Sequence, residues 1–131
     1  TLVELIVVMV LVGILAVVAV PRFIGLDVEA TEKAMDGVAA AITSGSSINF
    51  AAYKAGHKDG KAIEANTTQC KRAVRATGGL SEPFVLVNRN ATVKAVAGEE
   101  NYGTCNIKHR DASHRNIKKV KLLLTKPHNN A

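Results

Sequence analysis

The sequence predicts an α+β chain. One long N-terminal helix, kinked at Pro21, projects its hydrophobic first half and packs its second half against a small antiparallel sheet of about four strands. Three observations predict this. Between Thr1 and Pro21 the only ionisable side chain is Glu4. Beyond Pro21, apolar residues recur at every third or fourth position as far as Ala52. From Pro83 onward, short runs rich in β-branched residues alternate with Asn- and Gly-containing breaks. With 131 residues the chain is the size of one domain. It divides into a hydrophobic helical segment (1–25), the amphipathic second half of that helix (26–54), a connecting loop (55–82) and a sheet-bearing head (83–131).

The first element is aliphatic and rich in β-branched residues, which in water would favour a strand. In lipid the backbone must satisfy itself, so a helix is expected. About 20 residues at about 1.5 Å each match a hydrocarbon core about 30 Å thick. A cleavable secretory signal would carry a basic start and a small-residue cleavage site. The run has no basic start, and Pro21 and Arg22 lead on into further helix. The chain opens on Thr rather than Met, so we expect residues to have been removed ahead of it.

Past Pro21 the apolar stripe runs through Phe23, Leu26, Ala30, Ala34, Val38, Ala41, Ile42, Gly45, Ile48 and Ala52. Proline removes a donor and kinks, rather than ends, a supported helix. The glycines of KAGHKDG (54–60) then stop it. The result is one helix of about 53 residues, about 80 Å long. The remaining residues, about 77, make a globule roughly 30 Å across, which covers only the second half. The first half therefore needs lipid or copies of itself.

Glu4 has two readings. A carboxylate in an apolar layer costs on the order of 3 kcal/mol at its centre. It is worth that cost where a cation meets it, and the only candidate in the first 21 residues is an α-amino group, the chain's own or a staggered neighbour's. Alternatively, Glu4 snorkels at a membrane surface.

In the head, PFVLVN (83–88) and ATVKAVAG (91–98) read as a β-hairpin around NRN. YGTCNI (102–107) reads as a weaker third strand and NIKKVKLLL (116–124) as a fourth. In the fourth, Val120, Leu122 and Leu124 share one face, and Ile117, Lys119, Lys121 and Leu123 the other. Cys70 and Cys105 lack metal-type spacing. Paired, they imply an oxidising compartment and about 3–4 kcal/mol of stabilisation; otherwise they are two buried thiols.

TLVELIVVMVLVGILAVVAVPRF resembles the N-terminal segment of type IV pilins and the related pseudopilins of type II secretion. The apolar run, the single early Glu, the Pro after it and the amphipathic continuation carry the resemblance, which covers about the first 25 residues. It implies that a prepilin peptidase removes a basic leader and that the new first residue, usually Phe, is N-methylated; this chain opens on Thr1 instead. By the same resemblance Glu4 is the assembly carboxylate, Pro21 the kink, and Gly13 to Pro21 the stretch that loosens in filaments. The resemblance also implies a Cys70–Cys105 disulfide bounding the head, although 26 residues follow Cys105, more than is usual.

Other chemistry is sparsely supported. His109, Asp111 and His114 in KHRDASH lack a metal-binding spacing. No nucleophile elbow, zinc-protease helix, phosphate loop or dinucleotide fingerprint occurs. We therefore expect no enzyme, metal or cofactor. The glycosylation-like triplets NTT (66–68) and NAT (90–92) read as exposed turns. Net charge is +6, and Lys108, Arg110, Arg115, Lys118, Lys119, Lys121 and Lys126 form a candidate basic surface with Asp111 the one acid among them. Repeated along a filament, it would favour DNA or anionic surfaces. Aromatics are only 4 % of the chain, too few for base-stacking platforms or an aromatic electron path.

The expectation is a pilus subunit. It would be held in the inner membrane, polymerised by the pilus assembly machinery and displayed at the bacterial cell surface for adhesion, twitching motility or DNA uptake. A type II secretion pseudopilin is the alternative. The resemblance implies that major pseudopilins favour a calcium loop over this cysteine pair. A monomeric, membrane-anchored binding domain is the third reading.

Overall fold

A computed structural model of the protein describes residues 1–111 and 116–128, with residues 19–28 described by their helical backbone alone. The elements are α1 (Leu2–Lys54), α2 (Cys70–Ala76), β1 (Phe84–Leu86), β2 (Lys94–Val96), β3 (Glu99–His109) and β4 (Ile117–Leu123). The chain is thus α+β, with a long N-terminal helix and a four-stranded antiparallel sheet. It forms two compact units, Thr1–Lys33 and Ala34–Ala131. The first is helical throughout its described backbone from Leu2 on. The backbone is helical through Pro21, with no break at the expected kink, and the side chains of Pro21, Phe23 and Leu26 lie outside the described residues.

In the second unit, α1 ends as the glycines predict. Gly56 takes a φ of 72°, the His57 N–H donates to Ala52 O, and the Gly56 N–H donates to Tyr53 O. Those two bonds satisfy carbonyls that a helix end leaves open. The same closure ends α2, with Gly78 and Gly79 donating to Arg75 O and Val74 O. The presence of α2 corrects the expectation of loop over 55–82. CKRAVRA consists largely of good helix formers, but it is too short to register between stretches rich in Gly and Thr.

 The positions that α1 buries are Met35, Ala39, Ile42, Ser46 and Asn49. This corrects the expected stripe, which is rotated by about one position: Ala34 and Ala41 are exposed, and Ile48 is 72 % exposed. Hydrophobicity alone missed the true face because two of its members are polar and hydrogen-bonded. Asn49 Nδ2 donates to Lys61 O and Asn49 Oδ1 accepts from the Lys61 N–H, both at 2.8 Å. Ser46 donates to Thr43 O at 2.6 Å and accepts from the Leu123 N–H at 2.9 Å. Buried polar groups satisfied in this way carry no desolvation penalty to speak of.

The expected hairpin between the first two strands is also corrected. β1 and β2 each pair with β3: Leu86 opposes Ile107, and Lys94 opposes Thr104. On its other edge β3 pairs with β4, Cys105 opposing Val120 and Ile107 opposing Lys118. Residues 103, 104, 107 and 108 thus have a partner on each side, so β1 and β2 lie end to end along one edge of β3. The reason is local. Asn88 Oδ1 accepts from the N–H groups of Asn90 and Ala91, a side-chain turn that sends the chain onward along that edge. Ala91 and Val93 then bond outward, to Cys70 and to Asn66 and Thr68. The tight turn falls later, between Val96 and Glu99, where Gly98 takes a φ of 82°. YGTCNI is accordingly the middle of the longest strand, with 11 residues, rather than a weak third one.

Alternation along β3 and β4 separates the two faces of the sheet. Gly103, Cys105, Ile107, Val120 and Leu122 are buried, and Leu124 just beyond β4 joins them. Lys119 and Lys121 lie on the opposite face, as their spacing predicts.

Candidate functional site

The hydrophobic segment is the feature that the rest of the chain does not explain. From Leu2 to Val18 every side chain is exposed, Leu2 at 74 % and Val17 at 75 %. A contiguous apolar surface of that extent is unusual on a soluble monomer and marks an interaction surface. Gly13 sits within it, and a Cβ placed there would meet nothing within 4 Å. Among the described residues no helix is long and apolar enough to cross a membrane. The described apolar side chains end at Val18, and the sequence carries the run on through Ala19 and Val20.

Glu4 is the one acidic residue of the first turn of α1. Its Oε2 accepts from the α-amino group of Thr1 at 3.2 Å, with both groups more than 80 % exposed. An ion pair so exposed is worth little by itself. Glu4 is the one carboxylate on the otherwise apolar surface from Leu2 to Val18.

Cys70 and Cys105 are joined, with Cα atoms 5.9 Å apart. The bridge fastens the first residue of α2 to the middle of β3. Both cysteines are buried within the core cluster, beside Ala73, Val93 and Ile107 in the same set.

The candidate basic surface resolves into parts. Arg110 pairs with Glu82, Lys118 with Asp36 at 2.6 Å, and Lys121 with Glu99 at 2.8 Å. Lys121 also lies 5.6 Å from the centre of the Tyr102 ring. Lys108, Lys119 and Lys126 are exposed, and Arg115 lies outside the described residues. Lys94 is one cation that the sequence reasoning missed. It opposes Thr104, which also opposes Lys121, so Lys94 shares the outer sheet face with Lys119 and Lys121. Only strand register could have revealed it. His109 Nδ1 accepts from the Asp111 N–H at 3.0 Å, and its ring meets Phe84 edge-on. His114 lies outside the described residues. Asn66 and Asn90 are exposed and lie in turns, as the two triplets suggested.

No protein-family model, curated protein or solved structure matches this chain.

Proposed function

We propose that this chain is a type IV pilin. It is a structural subunit held in the inner membrane by residues 1–25 and polymerised through them into a helical filament at the bacterial cell surface. The observation that carries the reading is the exposed aliphatic surface from Leu2 to Val18 interrupted by one carboxylate. Fully burying a Val, Leu or Ile contributes about 1.5–3 kcal/mol. One poorly matched carboxylate near the centre of an apolar layer costs on the order of 3 kcal/mol. Packing therefore supplies the affinity, and Glu4 sets the axial register by meeting the α-amino group of a neighbouring subunit. In this reading Pro21 shapes the helix for its place in the bundle.

The Cys70–Cys105 bridge supports a pilin over a type II pseudopilin, by the same resemblance. Adhesion, twitching motility and DNA uptake are the outputs open to such a filament. Lys94, Lys108, Lys119 and Lys126 are the cations it would offer to DNA or anionic surfaces.

The test is a Glu4→Leu variant expressed in the native cell. Loss of surface filaments under electron microscopy, with the protein retained in the membrane, is the expected result. Normal filaments would remove Glu4 from the mechanism. A full chain that stayed monomeric and dispersed in detergent-free water would remove assembly altogether.

A further inference from the structure

A cavity of about 320 Å³ opens where α2 meets β1, within the usual size range of small-ligand sites. Val74, Leu80 and Phe84 supply its apolar side, while Lys71, Arg75, Arg89 and Arg110 supply its cations. Glu82 is the one carboxylate among the lining residues, and it is engaged by Arg110.

Local structure brings the segments that carry the other three cations to one rim of the cavity. Lys71 and Arg75 are four residues apart on α2 and so share a face. The Lys71 N–H donates to Arg89 O at 3.3 Å, which holds the loop carrying Arg89 against the start of α2. The disulfide pins that same point through Cys70. Among the described residues, no carboxylate lies within ion-pair distance of Lys71, Arg75 or Arg89. Like charges held one helical turn apart repel. An anion placed among them relieves that repulsion.

Charge and shape together narrow the class. Three uncompensated cations match a dianion better than a carboxylate, and arginine forks suit phosphoryl oxygens. Inorganic phosphate would leave the apolar side of the cavity unused. We propose that this cavity binds a phosphate monoester with an apolar body. Its phosphoryl oxygens meet Lys71, Arg75 and Arg89, and its body rests on Val74, Leu80 and Phe84. The proposal is independent of filament assembly.

The test uses the full chain in a non-ionic detergent, titrated with phenyl phosphate and followed by backbone amide shifts. Inorganic phosphate and benzyl alcohol serve as comparison probes. The expected result is saturable, sub-millimolar binding of phenyl phosphate, at least about tenfold tighter than either comparison probe. Shifts should centre on residues 71–89. An Arg75→Gln, Arg89→Gln double variant should weaken binding by at least about tenfold, whereas Lys126→Gln, outside the cavity, should leave it unchanged. Equal affinity in the double variant and the parent would overturn the proposal. So would inorganic phosphate binding as tightly as its phenyl ester, or shifts centred elsewhere.

Discussion

Leu123 donates its backbone N–H to the hydroxyl of Ser46 across 2.9 Å, tying the outer edge of β4 to α1. Two residues earlier on the same edge, Lys121 O accepts from Thr43 Oγ1 at 2.7 Å. Two residues later, Thr125 exchanges hydrogen bonds with Ile63, its N–H donating to Ile63 O at 2.9 Å. An unprotected edge strand invites pairing with other chains. Here hydroxyls of the helix and the backbone of Ile63 occupy that edge from Lys121 to Thr125.

Ser46→Ala tests this attachment. It leaves the Leu123 N–H without its acceptor, which costs about 1–3 kcal/mol for a buried group. Chemical denaturation of the full chain in detergent, followed by a signal from the head, should show the unfolding free energy fall by that amount.

Gly45→Ala tests a close approach. A Cβ at this position would stand 2.2 Å from Thr77 O, a backbone atom that cannot swing aside. Crowding of this kind costs about 1–3 kcal/mol. Gly37→Ala, where a Cβ meets nothing within 4 Å, should instead be neutral or stabilising, because alanine favours helix. Parallel unfolding curves for the two variants give the comparison.

Ile42 and Ile48 test the rotation of the buried face. Ile42 is 2 % exposed and Ile48 is 72 % exposed. Ile42→Ala should cost about 2–5 kcal/mol. Ile48→Ala should change the stability of the isolated chain by no more than about 0.5 kcal/mol. A cost at Ile48 as large as that at Ile42 in denaturation measurements would restore the stripe that hydrophobicity alone suggests.

Cys70→Ser with Cys105→Ser tests the bridge. The cysteines are separated by 35 positions, and the loop-entropy relation gives about 4 kcal/mol for a loop of that size. The double variant should lose stability of that order in a denaturant series. The parent under reductant should follow it.

Legibility in the sequence tracked the simplicity of each element's environment. Val120 and Leu122 alternate with Lys119 and Lys121, and that pattern alone marks the faces of β4. The end of α1 was written in Gly56, whose left-handed backbone no other residue adopts as readily. Ser46 and Asn49 hid the inner face of α1, because their burial depends on backbone partners at Leu123 and Lys61, distant in sequence. NRN looked like a hairpin turn until the Asn88 side chain took up the amides that follow it. Glu4 and the cysteine pair stood out by type and position. The cationic cavity did not, because Lys71, Arg89 and Arg110 come from three segments that only folding brings together.

The covalent link between Cys70 and Cys105 has a mechanical consequence. When the chain is pulled at its two ends, load crosses the sulfur–sulfur bond and bypasses the 35-position separation between them. That stretch is a reserve of contour length, roughly 120 Å at about 3.4 Å per residue, that tension alone does not release. A stretched chain would keep α2, β1 and β2 inside a closed ring, and would surrender them only after chemical reduction.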